Sequence, residues 1–184
     1  ESRWLDLQSF RLKSDRIVNF EATANGTIVN VKPDFSRATT PYFNFKDLNG
    51  QFLISNSESI DSDNQNDYAT VVFTYVPPNR LPLIGETLYL SGSLTNNVLD
   101  ENAEMKFNAV TRAYQKSLLL KQGYYSYSYI LRDKAAPDPM LDFNETEGDH
   151  WETENAYSIF IYYRPPGARH DHLIGFTTVH SNQY

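Results

Sequence analysis

The side chains able to do chemistry in this sequence form one imidazole pair, two acidic runs and one basic, proline-fixed turn. His170-Asp171-His172 sets two imidazoles on one side of an extended segment, the start of a two-ligand metal corner. With no third His or Cys nearby, it reads instead as the polar flank of a hairpin. Glu145, Glu147, Asp149, Glu152 and Glu154 offer the carboxylate pair that general acid–base or glycosidic chemistry needs. Five acids so close in one polar loop read more simply as a solvated, mutually repelling run. Asp61, Asp63 and Asp67 invite calcium, but an EF-type loop starting at Asp61 requires Gly at its sixth place and Glu at its twelfth. Asn66 and Val72 stand there, so the stretch reads as a solvated linker. No Gly-x-Ser-x-Gly elbow supports Ser-His-Asp chemistry. Without cysteine there is no thiol nucleophile, thiolate metal site or disulfide. Asn25-Gly26-Thr27 and Asn144-Glu145-Thr146 match the glycosylation tripeptide, a pattern that arises readily by chance. These residues point to a chain that is not an enzyme and needs no cofactor or metal.

The basic turn is the better candidate for contact with a partner. Tyr157–Tyr163 is almost wholly aromatic and β-branched, with no Gly or Pro, and reads as a strand. Arg164-Pro165-Pro166-Gly167 stops it, and Leu173–Val179 returns as the second strand of a hairpin. Apolar residues at odd and even positions suit strands covered on both faces. The tip then presents Arg164, Pro165, Pro166, Arg169, His170 and His172 as a partner-binding set. Proline lowers the ordering cost of a protruding loop, and arginine is enriched at interface hot spots. The same residues also read as no more than a rigid turn.

Composition sets the class. Of 184 residues 13 are Tyr and 11 Phe, which favours sheet over helix and allows either one large β-domain or two small ones. A net charge of −7 argues against nucleic acid, because phosphate binding needs clustered Lys and Arg. No apolar run of about 18 residues exists to form a membrane helix. The chain opens at Glu1-Ser2-Arg3-Trp4 as if cut from something longer.

In chain order, Arg3–Phe10 alternates as a strand. Arg16–Ala24 and Thr27–Val31 flank Asn25-Gly26, the signature of a type I′ hairpin. Lys32–Thr40 is a polar link. Tyr42–Phe45 and Gln51–Ser55 flank Asp47-Leu48-Asn49-Gly50, a second hairpin with a longer turn. Ser55–Asp67 is polar and turn-rich and reads as a domain boundary. Beyond it come strands at Tyr68–Val76 and Thr87–Ser91, and a hairpin of Met105–Asn108 with Ala113–Leu120. In Tyr124–Leu131, Tyr125, Tyr127 and Tyr129 share one face, which should be core. Arg132–Glu154 is a long acidic connection of the kind that is functional or partly disordered. The expected fold class is all-β. Residues 1–66 form β-hairpins ending a second, truncated upstream sandwich, and residues 67–184 form an immunoglobulin-like sandwich.

Two resemblances add to this. Thr87–Leu131 is similar to the early-set immunoglobulin-like domains of glycogen-binding modules: Leu90-Ser91-Gly92-Ser93 forms the turn, Tyr114, Leu118 and Leu120 fill an aromatic-x-x-x-Leu-x-Leu strand, and Gly123, Tyr125 and Tyr127 follow. Sugar-binding members place a tryptophan platform after the first strand, where this chain has Leu94-Thr95-Asn96-Asn97. This resemblance implies a carbohydrate-binding module of a bacterial surface polysaccharide system as the alternative function. Phe10–Arg16, Pro41-Tyr42-Phe43 with Asp47–Gly50, Leu118–Tyr125, Glu147–Asn155 and above all Tyr162–Arg169 with Asp171 and Leu173-Ile174-Gly175 resemble the plug proteins of the bacterial type IX secretion system. Members of that family are longer, so the resemblance covers their C-terminal part. It implies a non-enzymatic periplasmic subunit on the inner face of the outer membrane, whose partner is the outer-membrane translocon barrel. It implies no membrane insertion of its own and no small-molecule substrate.

Overall fold

A computed structural model describes residues 2–41, 48, 50–59, 64–135, 141–150 and 156–181. The chain divides into two compact units, residues 1–149 and 150–184. The first is an all-β sandwich. One of its sheets has four strands: β1 (Arg3–Asp6) and β5 (Phe52–Ile54) flank the start of the long β10 (Gly123–Asp133), whose second half pairs with β7 (Glu86–Ser91). The other runs in the order β2 (Ile17–Thr23), β3 (Gly26–Val31), β6 (Tyr68–Val76), β9 (Ala113–Lys121) and β8 (Lys106–Asn108), with the short β4 (Asp34–Phe35) also on β6. Pairing is antiparallel except where β3 and β4 run parallel to β6. The second unit is a two-stranded ribbon of β11 (Ala156–Tyr163) and β12 (His172–His180). Among the described residues the helical element is one 3-10 turn, Ser93–Thr95.

Strand alternation builds the core. β6 buries every second residue, so Ala69, Val71, Phe73 and Tyr75 meet Leu5, Leu88, Leu90 and the β10 tyrosines in one cluster. Tyr125, Tyr127 and Tyr129 are at most 2% exposed, as their spacing predicts. Phe73 meets Tyr127 edge-on at 5.1 Å, and Tyr75 lies 4.9 Å from Tyr129. Such pairs are favoured by the ring quadrupole.

The division falls elsewhere than expected. Residues 1–66 do not form a separate hairpin segment: β1 and β5 lie in the β10 sheet, while β2, β3 and β4 lie in the β6 sheet. Both edges of β6 are thus occupied, by β3 and β4 on one side and β9 on the other. The described residues of Ser55–Asp67 are correspondingly tied down within the sandwich. Ser57 N donates to Gln8 O, and buried Asn56 and Asn66 bond each other. The sandwich ends before residue 150, whereas the expected immunoglobulin-like sandwich runs to 184. The β2–β3 hairpin forms, but Thr23 pairs with Gly26 around an Ala24-Asn25 loop. Gly26 alone of that turn takes positive φ (119°), so the type I′ geometry expected for Asn-Gly is absent. Tyr42–Phe45, the first strand of the second expected hairpin, lies outside the described residues; Phe52–Ile54 pairs with β10.

A buried charged network joins the two sheets. Asp34 Oδ1 accepts from Arg3 Nη1 at 2.8 Å and from Arg16 Nη2, and its Oδ2 accepts from the hydroxyls of Tyr127 and Tyr129, both at 2.9 Å. Arg3 Nε also donates to Glu147 Oε1 at 3.0 Å, which accepts the Tyr129 amide at 2.8 Å. Burial alone would lower the Arg3 pKa, but the Glu147 and Asp34 charges raise it overall. Burial followed by the Asp34 charge raises the pKa of Tyr127 and Tyr129.

Asp34→Ala should therefore cost about 3–5 kcal/mol in denaturant unfolding, because it removes the carboxylate that Arg3 and Arg16 share and leaves Glu147 as the one buried carboxylate facing Arg3. Arg11→Ala, at a pair whose arginine is 82% exposed, should cost no more than about 1 kcal/mol. Equal losses at both sites would refute a structural role for the network. Alkali offers an independent check. Burial pushes Tyr75 and Tyr125 up to about 12. Their folded pKa exceeds the unfolded value near 10, so their contribution is complete below pH ~10 and is lost as pH rises towards 12. Absorbance titration should show these tyrosines ionising together with unfolding, after the exposed ones.

Candidate interaction surface

The β11–β12 ribbon is apolar on both faces. Register places Tyr157 opposite Val179, Ile159 opposite Thr177 and Ile161 opposite Gly175 on one face. Ser158 faces Thr178 and Phe160 faces Phe176 on the other, the two phenyl rings 5.0 Å apart. The expectation of strands covered on both faces is not met. Ten large apolar side chains of this ribbon, between Tyr157 and Val179, are 47–63% exposed. An isolated two-stranded ribbon is marginal in water, and exposed apolar patches of this kind mark interaction surfaces. Sequence composition suggested burial here because it reports hydrophobicity, and does not say which molecule supplies the cover.

The tip is a tight, ordered turn. Ala168 N donates to Pro165 O at 3.0 Å, and Gly167 sits at φ 83°, as the third position of a type II turn requires. Arg164 is bidentate to Asp171, Nε to Oδ1 at 2.7 Å and Nη2 to Oδ2 at 3.0 Å. The side-chain bond to Asp171 raises the Arg164 pKa. The arginine expected to give the tip its positive charge is thus answered locally. His170 and His172 lie with ring centroids 4.8 Å apart. Pro165, Pro166 and Arg169 share the same turn region, so the six predicted contact residues are brought together.

The other sequence candidates separate. Among the described residues no group of three or more His, Cys, Asp or Glu side chains could hold a metal. Asp61 and Asp63 lie outside the described residues, as do Glu152 and Glu154. Glu147 departs from the solvated acidic run: it is 5% exposed and holds Arg3. Residues 141–148 are tied to β10, with Leu131 bridged to Asp142 and Thr146 Oγ1 donating to Tyr129 O at 2.6 Å. In the polar Lys32–Thr40 link, Asp34 proves to be the buried centre of the network. Sequence reasoning missed Arg3, Asp34 and Glu147 as partners. The available signal was Arg3 sharing the inward alternation of Leu5 and Leu7.

A crystal structure of a hypothetical protein from Parabacteroides merdae superposes on this chain with a TM-score of 0.88 and 37% sequence identity. The match covers 98% of this chain and 44% of that protein, so the chain spans less than half of its length. No family model matches the chain, and no curated protein matches it significantly.

Proposed function

We propose that this chain is a non-enzymatic docking subunit of the kind its sequence resembles. It is a plug of the type IX secretion system, binding and occluding the periplasmic mouth of the outer-membrane translocon barrel. The observation that carries the docking role is the ribbon, apolar on both faces and exposed. Burying such side chains contributes about 1.5–3 kcal/mol each. The proline-fixed turn at Arg164–Gly167 limits the entropy lost when the ribbon end is held. The plug assignment itself rests on the sequence phrases around Tyr162–Arg169 and Leu118–Tyr125. No cofactor enters this role, and closure of a pore needs only steric fit and affinity.

Capture from native outer membranes tests the reading. Immobilised chain should retain a β-barrel translocon protein, identified by mass spectrometry. Phe160→Ser with Phe176→Ser should weaken capture by roughly a hundredfold, since each removes a large apolar group from the docked face. Arg164→Glu with Arg169→Glu should leave the melting temperature nearly unchanged, because exposed charges add little to stability. This double variant should weaken capture severalfold, more at low salt where screening is least. Retention of no barrel protein would remove the plug assignment, and undiminished capture by both variants would remove the ribbon as its docking element. Hydrogen exchange gives a second readout. Amides of β11 and β12 should exchange well before those of β6, β9 and β10 in the free chain, and slow when the partner is bound.

A further inference from the structure

We propose that the groove at the end of β6 docks a short peptide segment of a partner protein that carries apolar side chains beside lysine or arginine. The cavity measures about 450 Å3, within the size range of sites that take ligand side chains. Its walls include Phe35, Tyr75, Pro77, Pro78 and Leu131. Phe35 is 55% exposed although it belongs to a strand of the sandwich. Apolar exposure continues along the lining segments: Leu81 and Ile84 flank the lining residue Leu83, and Ile84 is 93% exposed. A cavity with an apolar rim of this kind is surface that a partner removes from water.

Charge selects the occupant. Glu145 lines the groove. Burial raises the Glu86 pKa, and the nearby Glu145, Asp142 and Asp133 carboxylates raise it further. Asp142 is bridged to the lining residue Leu131, and Glu86 pairs with Asp133 two residues farther along β10. Arg132 and Lys134 lie on or beside the same strand, yet among the described residues none of the four acids is ion-paired. One end of an apolar groove is therefore fringed with carboxylates that, among the described residues, no cation pairs. An acidic occupant is repelled there, and a purely apolar one leaves the fringe unused. A cationic group next to apolar side chains satisfies both parts. Proline and aromatic walls suit an extended or polyproline backbone, the mode by which such grooves bind peptides. This inference concerns the sandwich alone and stands independently of what the ribbon docks.

The test is selection from a phage-displayed library of random short peptides on the full chain. A synthetic version of an enriched peptide is then titrated by fluorescence anisotropy. Enriched sequences should combine apolar or proline residues with Lys or Arg, and binding should be saturable. Phe35→Ser and Glu145→Lys should each weaken it by roughly tenfold, while the melting temperature stays within a degree or so because both side chains are surface groups. Exchanging the peptide's Lys or Arg for Glu should abolish binding, and added salt should weaken it. No enrichment over an uncoated surface, enrichment of acidic peptides, or binding that both variants leave intact would each overturn the proposal.

Discussion

A carboxylate that keeps its charge inside a protein must find donors on every side, and Asp34 has four of them at 2% exposure. Removing a charge from water costs several kcal/mol, recovered only where geometry and further hydrogen bonds are complete. Here the donors come from β1, the segment before β2 and β10, so the network joins both sheets. It also fixes register. β1 points Arg3, Leu5 and Leu7 inward. A slip of one residue would turn Asp6 into the core and withdraw Arg3 from Asp34, penalising the misregistered sheet twice. The second carboxylate, Glu147, extends the constraint to the 141–148 segment. Its Oε1 holds both Arg3 and the Tyr129 amide, which anchors the segment against β10.

That network explains where sequence reasoning succeeded and where it stopped. Strands with clean alternation were legible: β6 runs over the predicted Tyr68–Val76, and the tyrosine row of β10 faces the core. Local signals failed where a distant partner decided the outcome. Asp34 sits in a polar stretch beside Pro33, where composition suggests a solvated link; only its encounter with Arg3, Arg16 and two tyrosines makes it interior. Glu147 was hidden for the same reason among other acids. At Asn25-Gly26 the dipeptide located the hairpin correctly, but the turn formed one residue earlier, with Gly26 closing it. The division into units was not visible either. A polar run such as 55–67 marks the absence of core residues equally well in a linker and in a loop that hydrogen bonds back to its own sandwich.

The ribbon poses the opposite problem. Its strands and turn were legible because aromatic and β-branched runs bounded by Pro-Pro-Gly admit few alternatives. Its environment was not, since hydrophobic content on both faces is compatible with a central strand or with a surface awaiting cover. Within the second unit, the strand pairing is regular except for the bulge near Ile161 and Tyr162, and the cross-strand Phe160–Phe176 contact holds the middle. Such a ribbon forms its cross-strand backbone hydrogen bonds but leaves its apolar area in water. The free energy for covering that area is thus available to association and not already consumed in folding.

If the ribbon docks as proposed, magnitudes decide which part of it carries the affinity. The tip looked cationic in sequence, with two arginines and two histidines. In the folded chain Arg164 is held by Asp171 in a bidentate, exposed pair. To use its charge on a partner, Arg164 must either leave Asp171 or bring that carboxylate along, and either course cancels most of the gain. Exposed ion pairs are worth about 0–1 kcal/mol in any case. A single buried Phe or Ile side chain is worth about 1.5–3 kcal/mol, and the ribbon has ten large apolar side chains about half exposed. Affinity therefore belongs to the faces. The tip contributes orientation: a type II turn fixed by Pro166 and Gly167 sets where the arginine–aspartate pair stands relative to the strands. A planar, bidentate pair can still report on the geometry of a polar rim while adding little to its energy. On this division, salt should act on the rate at which the partner is found far more than on how long it is held.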